Sequence, residues 1–157
     1  MSKMDFDLIQ KTSSFINAIK DRQLDFRSLK LARIENLTLT KDQNDTLDFT
    51  DNDLRILENF PLMTRVKTLL CANNRIAKIE LDMYKYLPNL RVLMLNNNHI
   101  TELGDLIPLE NLVKLQIVSI LDNPVVNRKY YRQFIVHKCP SIRILDFERV
   151  TDAVSFG

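Results

Sequence analysis

The chain has 157 residues, of which 45% are hydrophobic, and its 22 basic residues nearly balance 20 acidic ones to leave a net charge of +2. This length suits one domain, and the near balance excludes the whole-molecule basic surface of a dedicated nucleic-acid binder. The apolar runs are short and the first twenty residues carry several charges, so we expect neither a signal peptide nor a membrane-spanning helix. We therefore expect an intracellular protein whose two cysteines form no disulfide.

The first predicted element is a helix from Met4 to Asp21. Leu8, Phe15 and Ile19 are separated by seven and then four residues, a spacing that places them on one helical face. Because a repeat array exposes a hydrophobic edge at each end, we expect this helix to cap the N-terminal edge.

Residues 47–125 repeat the frame leucine–x–leucine–x–x–asparagine–x–leucine. The four copies are Leu47/Phe49/Asn52/Leu54, Leu69/Cys71/Asn74/Ile76, Leu93/Leu95/Asn98/Ile100 and Val118/Ile120/Asn123/Val125. Successive asparagines are 22, 24 and 25 residues apart, within the period of repeats that each supply one short strand and a return segment. Weaker copies lie at Leu24/Phe26/Leu29/Leu31 and Leu145/Phe147/Val150. The frame predicts a right-handed leucine-rich repeat solenoid of the α/β class, with a parallel concave sheet of about six strands.

The asparagine of each frame is expected to hold neighbouring repeats together. An asparagine amide both donates and accepts hydrogen bonds, so it can satisfy backbone groups where the chain leaves a strand. Leaving such buried groups unpaired would cost about 1–3 kcal/mol each. Asn52, Asn74, Asn98 and Asn123 are therefore predicted to form a structural ladder.

The last predicted helix closes the C-terminal edge. Tyr131, Phe134, Ile135 and Lys138 have helical spacing, and Pro140 follows where a helix should stop. The predicted organisation is one domain over residues 1–157, with an N-terminal cap at 1–21, repeats at 22–126 and a C-terminal cap at 127–157.

Few residues favour catalysis or metal binding. Gly104 and Gly157 are the only glycines, whereas phosphate-binding loops need several. His99 is expected on an outward turn, and His137 with Cys139 makes too small a set of ligands for a metal. We predict a binding protein that is not an enzyme and holds no cofactor or metal.

The predicted binding surface is the outward face of the strands. Five apolar residues fall at positions that point away from the core: Val92, Met94, Leu70, Ile117 and Leu121. Exposed apolar patches usually mark interaction sites. Acidic residues flank this centre at Asp25, Asp48, Asp146 and Glu148. We expect an amphipathic partner helix with basic residues beside its apolar stripe.

Two local basic clusters stand out from the balanced composition. The first contains Lys20, Arg22, Arg27, Lys30 and Arg33, and the second contains Arg128, Lys129, Arg132, Lys138 and Arg143. Neither has the interleaved aromatic residues of single-strand binders. A solvated face remains an alternative to phosphate binding for both clusters.

Several stretches resemble the A-prime family of the U2 small nuclear ribonucleoprotein, a spliceosomal leucine-rich repeat family. They are residues 18–27 (AIKDRQLDFR), 34–37 (IENL), 47–52 (LDFTDN), 66–70 (VKTLL), 73–76 (NNRI), 102–106 (ELGDL), 121–125 (LDNPV), 127–132 (NRKYYR) and 136–147 (VHKCPSIRILDF). The leucine frames and closing cap are shared by several nuclear repeat families, whereas the DRQLDFR opening joined to IENL favours this one. Family members often continue past the cap into a polar tail.

The resemblance implies a function and a set of site residues. It implies a nuclear protein whose concave sheet holds the first helix of an RNA-recognition-motif partner of the B-double-prime type, so that the pair binds a U2 snRNA stem-loop during splicing. The implied partner surface is Asp25, Asp48, Thr68, Leu70, Val92, Met94, Ile117, Ser119, Leu121 and Asp146. The residues implied to reach RNA phosphates are Lys20, Arg22, Arg27 and Lys30. The alternative is a nuclear adaptor or phosphatase regulator without RNA.

Overall fold

The computed structural model describes residues 2–12, 14–17, 21–40 and 42–151. In chain order the helices and strands are α1 (Phe6–Lys11), β1 (Ser14–Ile16), β2 (Arg22–Asp25), a 3-10 helix (Leu37–Leu39), β3 (Thr46–Asp48), β4 (Ile56–Leu57), β5 (Thr68–Leu70), β6 (Lys78–Ile79), α2 (Met83–Tyr86), β7 (Val92–Met94), a 3-10 helix (Leu103–Asn111), β8 (Ile117–Ser119), a 3-10 helix (Pro124–Asn127), α3 (Tyr131–Lys138), β9 (Ile144–Leu145) and β10 (Glu148–Arg149). No helix within these ranges combines the length and apolar content needed to cross a bilayer.

Six parallel strands form the centre of the main sheet, in the order β2-β3-β5-β7-β8-β9, as the repeat frame predicts. An antiparallel strand is added at each end, with β1 beside β2 and β10 beside β9. On the opposite, convex side, β4 and β6 form a short parallel pair, and helices and turns connect the repeats. The solenoid fold is confirmed, and its sheet is longer at both ends than the frame indicates.

The core lies between the sheet and the convex segments. One residue of each parallel strand enters it in a continuous row across the sheet: Leu24, Leu47, Leu69, Leu93, Val118 and Leu145. Behind this row, the rings of Phe26 and Phe49 stack with centroids 5.0 Å apart and planes 10° apart. The row exists because alternate strand residues point to one face and the parallel register aligns them.

The four frame asparagines are buried and bond backbone groups of adjacent repeats. Asn98, for example, donates from Nδ2 to the carbonyl oxygens of Cys71 and Leu95 at 3.0 and 2.9 Å, while its Oδ1 accepts from the amide of Ile76 at 2.9 Å. Asn52, Asn74 and Asn123 make equivalent bonds. Each side chain thus joins a turn to the repeat before it.

The N-terminal cap differs from the predicted single helix. Helix α1 ends at Lys11, where the side chain of Thr12 donates to the carbonyl oxygen of Leu8 at 2.8 Å. The chain then forms β1, so the predicted helix is wrong over Ser14–Ile16, because strand pairing with β2 overrides the helical spacing of Leu8 and Phe15. Ile19, the third residue of the predicted face, lies outside the described residues.

The C-terminal cap contains the predicted helix but not the predicted final frame. Helix α3 spans Tyr131–Lys138 and packs Tyr131, Phe134 and Ile135 against the core. Phe147 was expected to enter the core beside Leu145, yet it is 66% exposed and has a φ of 66°. That expectation is wrong because the chain reverses at Asp146 and Phe147 to form the antiparallel strand β10.

Candidate partner-binding face

The concave face of the sheet carries the strand residues that point away from the core, and strand register arranges them in two rows. The first row is Phe15, Gln23, Thr46, Thr68, Val92, Ile117, Ile144 and Arg149, and the second is Asp25, Asp48, Leu70, Met94 and Ser119. Both rows change from polar residues on β2 and β3 to mainly apolar residues on the later strands. The face therefore has two chemically different ends.

The middle of this face is apolar and is not part of the core. Leu70, Val92, Met94, Ile117 and Leu121, here called the apolar centre, are all half-buried. None of them belongs to the core cluster or to the side chains that pack against it. The structure brings together the five residues that the sequence picks out, and leaves part of each accessible.

Three of the predicted polar contact residues are less accessible than the sequence suggests. Asp48 and Ser119 are only 4% and 1% exposed, and Thr68 is half-buried. The hydroxyl oxygen of Ser119 accepts a 2.6 Å hydrogen bond from Nδ2 of Asn96. Oδ1 of Asp48 accepts from the amide of Thr50 at 3.0 Å. The side chains of Asp48 and Ser119 are therefore already hydrogen-bonded within this chain.

Arg27 lies among three carboxylates at the N-terminal end of the face. Its Nε and Nη2 donate to the two carboxylate oxygens of Asp25 at 3.0 and 3.1 Å, and Nε is 3.7 Å from Oδ2 of Asp48. Hydrogen bonding to Arg27 lowers the pKa of Asp25. The hydrogen bond and charge of Asp25, followed by the charges of Asp48 and Asp51, raise the pKa of Arg27. Asp25, Asp48, Asp51 and Arg27 together are called the acidic end.

The predicted RNA-contacting residues do not form one patch. Arg22 begins β2 and Arg27 lies two residues past its end, so the length of the strand, about 10 Å from Arg22 to Asp25, lies between them. Arg27 is engaged by Asp25, whereas Lys30 is exposed beyond the strand. Lys20 lies outside the described residues. Within the described residues, the side chains of Arg22 and Lys30 have no carboxylate partner, although the backbone amide of Arg22 donates to Oδ2 of Asp45 at 3.0 Å.

Asp146 has a structural role that sequence reasoning missed. Its two carboxylate oxygens accept hydrogen bonds from the Ile120 amide and the Tyr131 hydroxyl. The chain reverses here with a φ of 53° at Asp146, and the side chain accepts the bond that a backbone carbonyl oxygen accepts in earlier repeats. Glu148, expected on the concave face, pairs with the core-facing Leu145 and so lies on the other face.

Two concave residues escaped the sequence interpretation. Phe15 is 38% exposed and lies opposite Gln23, and Arg149 is exposed and lies opposite Ile144. Both are on the antiparallel end strands. The available sequence signal is weak, since it consists of the turn-forming residue types Asn17, Asp21 and Asp146 beside these strands.

The described residues offer no site for metal or thiol chemistry. They contain no group of three or more His, Cys, Asp or Glu side chains placed to hold a metal ion. Cys71 and Cys139 are buried free thiols, and burial raises the pKa of Cys139 to about 12 and that of Cys71 further. Such thiols remain protonated at neutral pH and react slowly.

Comparison with known proteins agrees with this architecture. A family model described as leucine-rich repeat matches residues 1–154. The U2 small nuclear ribonucleoprotein A' of Homo sapiens is 48% identical over 150 residues, which cover 96% of this chain and 59% of that protein. The Schizosaccharomyces pombe protein of the same name is 46% identical over 148 residues, covering 94% of this chain and 62% of that protein. The chain is a leucine-rich repeat protein of the U2 A' family.

Solved structures separate this family from other repeat proteins. The chain matches one in the Drosophila melanogaster SNF/U2A' complex with a TM-score of 0.95 and 42% identity, covering 98% of this chain and 88% of that one. The Mex67 repeat domain of Chaetomium thermophilum matches with a TM-score of 0.52 and 24% identity over 57% of this chain and 62% of that one, which shows a shared fold only. This chain spans about three-fifths of the length of the curated relatives named above.

Proposed function

We propose that this protein is a non-enzymatic scaffold of the nuclear U2 small nuclear ribonucleoprotein. Its concave face binds one amphipathic helix of an RNA-recognition-motif protein of the B-double-prime type, and the pair binds a U2 snRNA stem-loop in pre-mRNA splicing. The observation that carries the proposal is the apolar centre, whose residues lie outside the core and remain partly accessible. The Drosophila relative, which is found in a complex with SNF, supports a protein partner.

The dimensions of the face suit a single helix. Six strands at a spacing of about 4.8 Å give a width of about 24 Å, which is the length of a helix of about 16 residues. Burying about 200 Å² of apolar surface in the centre would contribute about 5 kcal/mol before the cost of association is subtracted. The contact therefore needs additional polar interactions, and the acidic end supplies candidates.

The test of the partner proposal is a double substitution, Leu70→Asp with Met94→Asp. Both side chains lie outside the core, so the variant should fold like the parent, while two carboxylates in the apolar centre should abolish capture of the partner. Leu62→Asp is the matched control, because Leu62 is 61% exposed and lies away from the concave face. Undiminished capture by the double variant, with an unchanged melting temperature in both, would refute the proposed surface.

The RNA part of the proposal has its own readout. Immunoprecipitates of the protein should contain U2 snRNA together with an RNA-recognition-motif protein. Recovery of a phosphatase catalytic subunit without U2 snRNA would instead favour the alternative function of a nuclear adaptor or phosphatase regulator.

A further inference from the structure

We propose that the concave face is electrically polarised and that this polarity fixes the direction of its helical partner. The partner helix would place its N-terminal turn over β2 and β3 and its C-terminal turn over β9 and β10. This inference rests on the proposed function, because it assumes that one helix lies across the strands. It adds the orientation and the charge pattern of that helix.

The acidic end gives the face an excess of negative charge over β2 and β3. Three carboxylates, those of Asp25, Asp48 and Asp51, surround one guanidinium, that of Arg27. Gln23 adds no charge and donates from Nε2 to Oδ2 of Asp48 at 3.2 Å. Three carboxylates and one guanidinium give the group a formal charge of −2.

The neighbouring N-terminal cap does not cancel this charge. A cleft of about 540 Å³ separates α1 from the end of β2, and its lining includes Asp5, Asp7, Lys3 and Lys11 as well as Asp25 and Arg27. The two cap aspartates balance the two cap lysines. The cap therefore adds no net charge to the acidic end.

The opposite end of the face is basic. Arg149 lies across from Ile144 in the register of β9 and β10, and both line one cleft with Arg143 and Val150. Within the described residues, neither arginine side chain has a carboxylate partner, and the guanidinium of Arg143 donates to the carbonyl oxygen of Pro140 at 3.1 Å. Arg143 and Arg149 are called the basic end.

The position of the basic end is fixed by the reversal of the chain. Nη1 of Arg132 donates to the carbonyl oxygen of Leu145 at 3.0 Å, and Nη2 donates to those of Glu148 and Arg149 at 3.3 Å each. These bonds hold β10 against β9. Of the two carboxylates expected at this end, Glu148 lies on the other face, whereas Asp146 stays here with both oxygens hydrogen-bonded to Ile120 and Tyr131. The two arginines therefore exceed the one carboxylate by a single positive charge.

A helix has charges of its own that match this arrangement. Its N-terminus carries a partial positive charge and its C-terminus a partial negative charge, and basic or acidic side chains at those ends add to the effect. The N-terminal turn is therefore favoured over the acidic end and the C-terminal turn over the basic end. The apolar centre can bind the apolar stripe of the helix in either direction. The orientation of the helix is therefore determined by the charges of the acidic end and the basic end.

Cross-linking tests the direction. Phe15→Cys and Arg149→Cys place one thiol at each edge of the face, and the native Cys71 and Cys139 are buried. Each variant is mixed with the RNA-recognition-motif protein recovered in the capture experiment, carrying one cysteine in the first or last turn of its bound helix, and treated with a short bismaleimide. We expect Phe15→Cys to link to the first turn and Arg149→Cys to the last turn. The reverse pairing would overturn the inference.

Charge substitutions provide a second test with effects of opposite sign. At low salt, Asp25→Asn and Arg149→Gln should each weaken partner binding about two- to fivefold, the range of partly exposed charge pairs. Arg27→Gln should strengthen binding by a similar factor, because it removes the only cation of the acidic end. Lys85→Gln on the convex side is the control and should change nothing. Weaker binding by Arg27→Gln, or no effect of Asp25→Asn, would overturn the polarity.

The outcomes separate this inference from the proposed function. Failure of the unmodified protein to capture an RNA-recognition-motif protein would remove the proposed function itself. Normal capture with cross-links to neither end would show that the helix does not run between them, and would overturn the inference alone. If Arg149→Gln weakened only the binding of U2 snRNA, the basic end would be an RNA contact and the inference would also fail.

Discussion

The hydroxyl of Tyr131 donates a 2.7 Å hydrogen bond to Oδ2 of Asp146, whose Oδ1 accepts one of 2.6 Å from the amide of Ile120. One carboxylate thus ties the closing helix α3 to the last strands of the sheet. Earlier repeats use a backbone carbonyl at this position, as where the Leu95 amide donates to the carbonyl oxygen of Ser119. The side chain of Asp146 replaces that acceptor where the chain reverses.

Replacing Asp146 should therefore destabilise the fold. Asp146→Ala leaves the buried Ile120 amide and the Tyr131 hydroxyl without their acceptor, so we expect the free energy of unfolding to fall by about 2–4 kcal/mol. Tyr131→Phe removes one hydrogen bond and should cost about 1 kcal/mol. Urea denaturation measures both. An Asp146→Ala loss no larger than that of Tyr131→Phe would show that the bond to Ile120 contributes nothing.

Asn98→Leu should be among the most damaging single changes. It leaves the buried Ile76 amide without its acceptor and removes one of the two asparagine donors to each of the Cys71 and Leu95 carbonyl oxygens, so we expect a loss of about 3 kcal/mol. The exposed Asn111 serves as control, and Asn111→Ala should change the free energy of unfolding by less than about 0.5 kcal/mol. Similar urea midpoints for the two variants would contradict the role given to the ladder.

Stability should fall as the pH rises above about 8.5, where thiols of the unfolded chain begin to ionise. Burial raises the pKa of Cys139 to about 12 and that of Cys71 further, so the folded chain keeps both protons while the unfolded chain loses them. Their contribution is complete below pH 8.5 and is lost as the pH rises towards the folded pKa. Each thiol contributes at most about 1.4 kcal/mol per pH unit.

Cys139→Ala identifies the cause of this alkaline destabilisation. The variant should show a shallower decrease of the free energy of unfolding between pH 9 and about pH 10, measured by urea denaturation at several pH values. Burial also raises the pKa of Tyr131, so its effect adds above pH 10, where unfolded tyrosine ionises. An unchanged slope between pH 9 and 10 in Cys139→Ala would exclude this thiol as a source.

The salt dependence of RNA binding tests the basic residues of the first repeat. If Arg22 and Lys30 meet phosphates, the complex with the partner should bind the U2 stem-loop with a steeper salt dependence than the partner alone. Arg22→Gln and Lys30→Gln should each reduce the slope of log K against log salt concentration by about 1. Arg27→Gln should leave it unchanged, because its guanidinium is already bound by Asp25. Equal slopes with and without this protein would leave these residues as solubilising charges.

Local sequence determined the repeats themselves. Apolar residues at alternate positions, such as Leu93 and Leu95, indicate a strand that is buried on one face. Asn98 follows at the turn, where an asparagine side chain can hydrogen-bond to both backbone amides and carbonyl oxygens. The same register located the apolar centre, since Leu70 and Met94 fall between core positions. The strand, the asparagine turn and the apolar centre all depend on contacts within one repeat or with a similar repeat next to it. The residue pattern of a single frame is therefore enough to predict them.

The ends of the solenoid were decided by tertiary structure. Phe15 has helical spacing from Leu8, but pairing with β2 makes it a strand residue on the concave face. Phe147 fits the leucine frame, but the reversal at Asp146 exposes it and brings Arg149 beside Ile144. At an end of the solenoid, no further repeat pairs with the backbone groups of the last strand. The backbone conformation there is instead fixed by hydrogen bonds to residues distant in sequence, such as those from Ile120 and Tyr131 to Asp146. A short-range pattern cannot encode a choice made by partners some 15 to 26 residues away.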